Sequence, residues 1–78
     1  MHKVRNQKVM SMFGQNVRSI RVKKSITQEQ LAEDAGISQV QVARIESGKI
    51  NTSISTVVAL AKALDVEEGS FFNKTSLG

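Results

Sequence analysis

Eleven residues apart, the chain uses the same device twice: a hydroxyl side chain, a glutamine three places on, an apolar pair around them, and a glycine where the run ends. In ITQEQLAEDAG, the hydroxyl of Thr27 can accept from the amide of Gln30, whose side chain can reach back to form a capping box. Ile26 before the cap and Leu31 inside the helix form a hydrophobic staple. Gly36 stops the run, because glycine tolerates the left-handed conformation. In ISQVQVARIESG, Ser38 caps, Gln41 closes the box, Ile37 and Val42 make the staple, and Gly48 ends the run. The pattern predicts helices over 28–35 and about 39–47. The turn between them is too short for antiparallel stacking, so they must cross steeply.

The flanks are also helical. Met10, Phe13, Val17 and Ile20 recur at steps of three and four, which marks one face of a first helix over 9–24. Gly14 reads as a mild weakness inside it. Residues 1–8, MHKVRNQK, carry no cap signal and read as a flexible basic arm. After the loop KINTS, Ser53 is the next cap, for a helix over 54–64. Its apolar face holds Ile54, Val57, Val58, Ala61 and Leu64, with Leu60 at the edge. Val66, Phe71 and Phe72 suggest a short fifth helix near 67–73, and residues 74–78 read as a tail. No stretch alternates with period two for long enough to form a strand, so the fold class is all-α.

At 78 residues the chain is one domain with no cysteine to staple it. Below roughly 70–80 residues a single core supplies only a few kcal/mol, so a partner subunit would help. The lone histidine, His2, cannot hold a metal by itself, and no metal or other cofactor is expected. Net charge is +4, unevenly spread. Lys3, Arg5, Lys8, Arg18, Arg21, Lys23 and Lys24 stand in the first 24 residues without an acid. Such a basic end suits a polyanion, and equally a solvated helix and tail. The sequence has no apolar run of about 18 residues that could span a membrane and no evident signal peptide. The expected compartment is the cytoplasm, or the nucleoid within it. Enzyme chemistry is not expected, since there is no Gly-rich phosphate loop and no nucleophile–base pair. Asp65, Glu67 and Glu68 resemble a carboxylate site only on paper. They read as a helix start, where acids suit the dipole.

On the third helix, Val42 and Ile45 face inward. Gln39 with Ala43, and Val40 with Arg44, face outward together, and Ser47 continues that face. The face is small, amide-bearing and cationic, and it carries no acid. Such a helix can enter the major groove, where glutamine pairs with adenine, arginine with guanine, and a valine methyl can meet a thymine methyl. An ordinary solvated helix surface has the same composition.

The stretch FGQNVRSIR…TQEQLAEDAGISQVQVARIESGK…TSISTVVALAKALDV resembles the phage-repressor and Cro-like, or XRE-type, helix-turn-helix family. Its most specific parts are TQEQLA, GIS and RIESGK. The resemblance implies a compact five-helix lambda-repressor-like domain over 9–73, with helix 3 in the major groove of double-stranded DNA. It implies base contacts from Gln39, Val40, Ala43 and Arg44, and backbone contacts from Gln28, Ser38, Gln41, Lys49, Asn51 and Thr52. Many relatives carry a longer polar or aromatic residue in place of Val40 and a proline in place of Thr52. Arg21 and Glu46 match a pair that locks helix 3 in place within the family.

The function so implied is sequence-specific transcriptional regulation, as a repressor on a pseudo-palindromic operator. The alternative is an antitoxin or adaptor acting through a protein partner such as a toxin. A homodimer is expected because one helix reads only about four or five base pairs. Val58, Phe72 and Leu77 are its candidate interface, whereas Phe71 is expected to turn inward toward Leu60 and Leu64.

Overall fold

The computed structural model describes residues 6–74. Within them the chain forms four α-helices, α1 (Gln7–Lys23), α2 (Gln28–Ala35), α3 (Gln39–Glu46) and α4 (Ile54–Leu64), followed by a 3-10 turn at Glu68–Phe72. The expected fifth helix is this turn.

Each α-helix begins on a side chain that accepts from the third residue of the helix. Thr27 accepts from the Gln30 amide, Ser38 from Gln41 and Ser53 from Thr56. Asn6 does the same for Val9, so α1 starts two residues before the expected 9. Gln7 and Lys8 are therefore helical and not part of an arm. The remainder of the expected arm, residues 1–5, lies outside the described residues, as do tail residues 75–78 with Leu77. In the first box the Gln30 side chain bonds forward to Asp34 at 2.8 Å, one turn along its own helix.

The helix ends also differ from expectation in three places, the first being α1, which stops at Lys23 with Lys24 as its cap. Gly36 and Gly48 take positive φ, 74° and 72°, but α3 ends one residue early, at Glu46, with Ser47 as its cap. Asp65 lies at the end of α4, not at a helix start. It is that helix's left-handed cap, with φ 57°.

The helices close around Phe13, Val17, Leu31, Val42, Ile45, Leu60, Leu64 and Phe71. Burying each such side chain contributes about 1.5–3 kcal/mol. Leu60 is fully buried and not at an edge, whereas Ile54 is 83% exposed. The inward direction of α4 runs between Leu60 and Ala61, which leaves Val58 at the edge. Ile54, seven residues before Ala61, is on that residue's side of the helix but in its first turn, outside the core cluster. Phe71 points into the core as expected and meets Phe13 edge-on, with centroids 5.3 Å apart.

Two residues of α1 set how closely its neighbours approach. A Cβ at Gly14 would fall on the carbonyl oxygen of Ile45 and within 3.1 Å of the Glu46 backbone. Gly14 is thus the seat of α3 and not a simple weakness. Asn16, buried among apolar side chains, donates to the carbonyls of Phe71 (2.7 Å) and Asn73 (3.1 Å), tying the 3-10 turn to α1.

Candidate nucleic-acid interface

The sequence of α3 divides it into two faces. Val42, Ile45 and Glu46 are buried. Gln39, Val40, Ala43, Arg44 and Ser47 are exposed, and none is acidic. Val40, Ala43, Arg44, Ser47 and Lys49 line one shallow, open depression. Three of the four expected base readers, Val40, Ala43 and Arg44, therefore share one surface with Lys49, while Gln39 is exposed but does not line it. Ser47 contributes less than expected, because its hydroxyl donates back to the carbonyls of Ala43 (3.0 Å) and Arg44 (3.2 Å).

Arg21 fixes the angle of this surface. Its Nε donates to Glu46 Oε2 at 2.6 Å and its Nη2 to Oε1 at 3.0 Å. Nη1 donates to the carbonyl of Ile26 at 2.8 Å, so one guanidinium joins α1, the α1–α2 turn and α3. Gln28 joins the network through Nε2, 3.0 Å from Glu46 Oε1. The first residue of α2 is thereby held against the last residue of α3. At the other end of α1, Gln7 Nε2 donates to the carbonyl of Gly48 at 2.8 Å and anchors the turn after α3.

The remaining expected backbone contacts are dispersed. Ser38 is exposed and its oxygen is used as a cap, which leaves the hydroxyl proton to donate. Gln41 is half-buried. Asn51 is exposed and Thr52 half-buried. Both border an apolar hollow of about 70 Å³ between the start of α1 and the 3-10 turn, lined also by Val9, Met10, Phe13, Val57 and Phe72. Of the expected dimer residues, Val58 is half-buried, and Phe72 is 44% exposed and stacked on Phe13.

Sequence reasoning missed Gln7, Asn16 and Ile54 and the bond between Gln28 and Glu46. Gly14 carried a signal, since a glycine on the apolar side of a helix marks close approach. The bonds of Gln7 to Gly48, Asn16 to Phe71 and Gln28 to Glu46 could not be read from spacing, because these partners lie at least 18 residues away. No helix among the described residues is long and apolar enough to cross a membrane.

Residues 17–71 match the family model HTH_3, described as helix-turn-helix. The chain is 38% identical over 64 residues to the immunity repressor protein of Bacillus phage phi105, covering 82% of this chain and 44% of the repressor. It thus spans less than half of that relative's length. Among solved structures, the restriction-modification controller protein C.AhdI of Aeromonas hydrophila superposes with a TM-score of 0.79 at 36% identity, covering 81% of this chain and 96% of that one. The controller C.Esp1396I, solved as a tetramer with its natural 35 base-pair operator, superposes at 0.76 with 28% identity over 82% of this chain and 84% of that one.

Proposed function

The chain belongs to the HTH_3 helix-turn-helix family, and from that premise we propose that it represses transcription by binding a pseudo-palindromic operator as a homodimer. The coarser function, a non-enzymatic DNA-binding transcriptional regulator, is that of its family. One observation carries the finer reading: the exposed face of α3 offers Gln39, Val40, Ala43 and Arg44 without an acid, while the opposite face is locked by Arg21 and Glu46. A helix so presented fits the major groove, where amide and guanidinium side chains read base edges. Gln28, Ser38, Gln41, Lys49, Asn51 and Thr52 serve as backbone contacts that position the helix and carry no sequence information. The implied compartment is the cytoplasm, with the chain on the nucleoid.

The dimer reading rests on apolar side chains that the core leaves exposed or half-buried. Phe72 and Val9 flank the hollow, while Ile54 and Val58 lie one turn apart on α4. Two copies about a two-fold axis would read half-sites about one helical turn apart, roughly 34 Å. Selection from a random duplex pool tests this, followed by sedimentation on the selected site and transcription from a promoter that overlaps it. The expected results are a pseudo-palindrome, two chains per site and reduced transcript. One chain per site at saturation would rule out the dimer, and unchanged or raised transcript would rule out repression.

A further inference from the structure

Val40 breaks the usual chemistry of a solvated surface. It is 63% exposed, in the first turn of α3. Ala43 lies three residues on and Ser47 seven, so the three share one stripe. The Ser47 hydroxyl is turned back onto its own helix. The middle of the stripe is therefore apolar, with Gln39 on one flank and Arg44 on the other.

In the major groove, the apolar feature a base pair offers is the C5-methyl of thymine. Cytosine has a hydrogen there, and 5-methylcytosine carries a methyl in the same place. Arg44 is one turn from Val40, at about 5–6 Å. Bases on a strand are spaced at about 3.4 Å, so the separation falls between one and two base steps, and the long arginine side chain can reach the pair adjoining the one under Val40. Arginine forks onto O6 and N7 of guanine.

Resting on the DNA-binding reading above, we infer that Val40 and Ala43 hold the C5-methyl of a pyrimidine beside a guanine bound by Arg44, so that operator affinity responds to cytosine methylation. The recognised step is thymine–guanine or 5-methylcytosine–guanine, and the shared group is the methyl. A protein with this patch senses methylated DNA through the same contact that reads thymine.

The test uses the full chain and a duplex selected from a random pool. Deoxyuridine replaces thymidine one position at a time, which removes the methyl and nothing else. At one position in each half-site, wild type is expected to lose about fourfold in affinity, the worth of one buried methyl. Val40→Ala should bind the thymidine and deoxyuridine duplexes alike. With a C·G pair at that position, methylating the cytosine should tighten wild-type binding about fourfold and leave Val40→Ala unchanged. Methyl dependence at no position, or the same dependence in Val40→Ala, would overturn the inference while DNA binding stood. A lowered melting temperature in Val40→Ala would also overturn it, by showing the valine covered in solution. Failure to bind any duplex selectively would instead overturn the DNA-binding reading itself.

Discussion

The guanidinium of Arg21 and the carboxylate of Glu46 form a two-pronged pair across α1 and α3, at 2.6 and 3.0 Å, with side chains only 11% and 4% exposed. An exposed pair would contribute little. This one is largely closed from water, and further hydrogen bonds tie Arg21 to the Ile26 carbonyl and Gln28 to Glu46. Its importance lies in the orientation of α3, because an uncompensated carboxylate could not stay in that position.

Removing the arginine should therefore unfold the protein before it disarms it. Arg21→Ala is expected to cost about 3–5 kcal/mol, the usual penalty for stranding one member of a buried pair. At about 4–8 °C per kcal/mol for a domain of this size, thermal melts should fall by at least roughly 12 °C. DNA affinity measured on the folded fraction at low temperature should change less. An unaltered melting temperature with lost binding would move Arg21 into the DNA site.

Gly14→Ala sets two effects against each other. Helix propensity alone favours alanine by about 1 kcal/mol. The added Cβ would collide with the Ile45 carbonyl, which is backbone and cannot rotate away. Overpacking of this kind typically costs about 1–3 kcal/mol, so the net effect should be destabilising. Denaturant midpoints of the two proteins decide the sign, and a more stable variant would show that α3 can move off α1.

Asn16 tests the tether between α1 and the 3-10 turn. Asn16→Ala leaves the buried Phe71 carbonyl without this donor, at about 1–3 kcal/mol. Hydrogen exchange should speed up at residues 68–72 before it does in α2 or α3. Uniform acceleration across all helices would mean that the turn unfolds only with the whole domain.

Arg44 and Lys49 should separate reading from anchoring. Arg44→Ala is expected to cost about 1–3 kcal/mol on the preferred duplex and relax specificity at one base pair. Lys49→Ala and Gln28→Ala should weaken binding to every duplex alike, and Lys49→Ala should flatten the salt slope by about one unit. Titrations on selected and scrambled duplexes at several salt concentrations distinguish them. An equal loss on all sequences in Arg44→Ala would make it a phosphate contact.

Asp65 caps α4 in the left-handed region with an acid at the negative end of the helix dipole. Asp65→Gly relieves both and should stabilise the fold by about 0.5–1 kcal/mol. A lower melting temperature would mean that the carboxylate has a partner worth more than the strain.

Local chemistry determined what the sequence could show by itself. Thr27, Ser38 and Ser53 start helices through bonds to residues three places on, and Gly36 ends one through its own φ. The bounds of α2 and α4 were therefore legible, as was the outward face of α3 once its buried side was known from periodicity. The pairing of Arg21 with Glu46 was legible only through family resemblance. Tertiary structure alone decided the role of Gly14, the tether of Asn16, the capture of Gln28 by Glu46 and the exposure of Ile54. Each depends on where a second helix comes to rest, which is set by packing across the whole core and not by spacing along the chain.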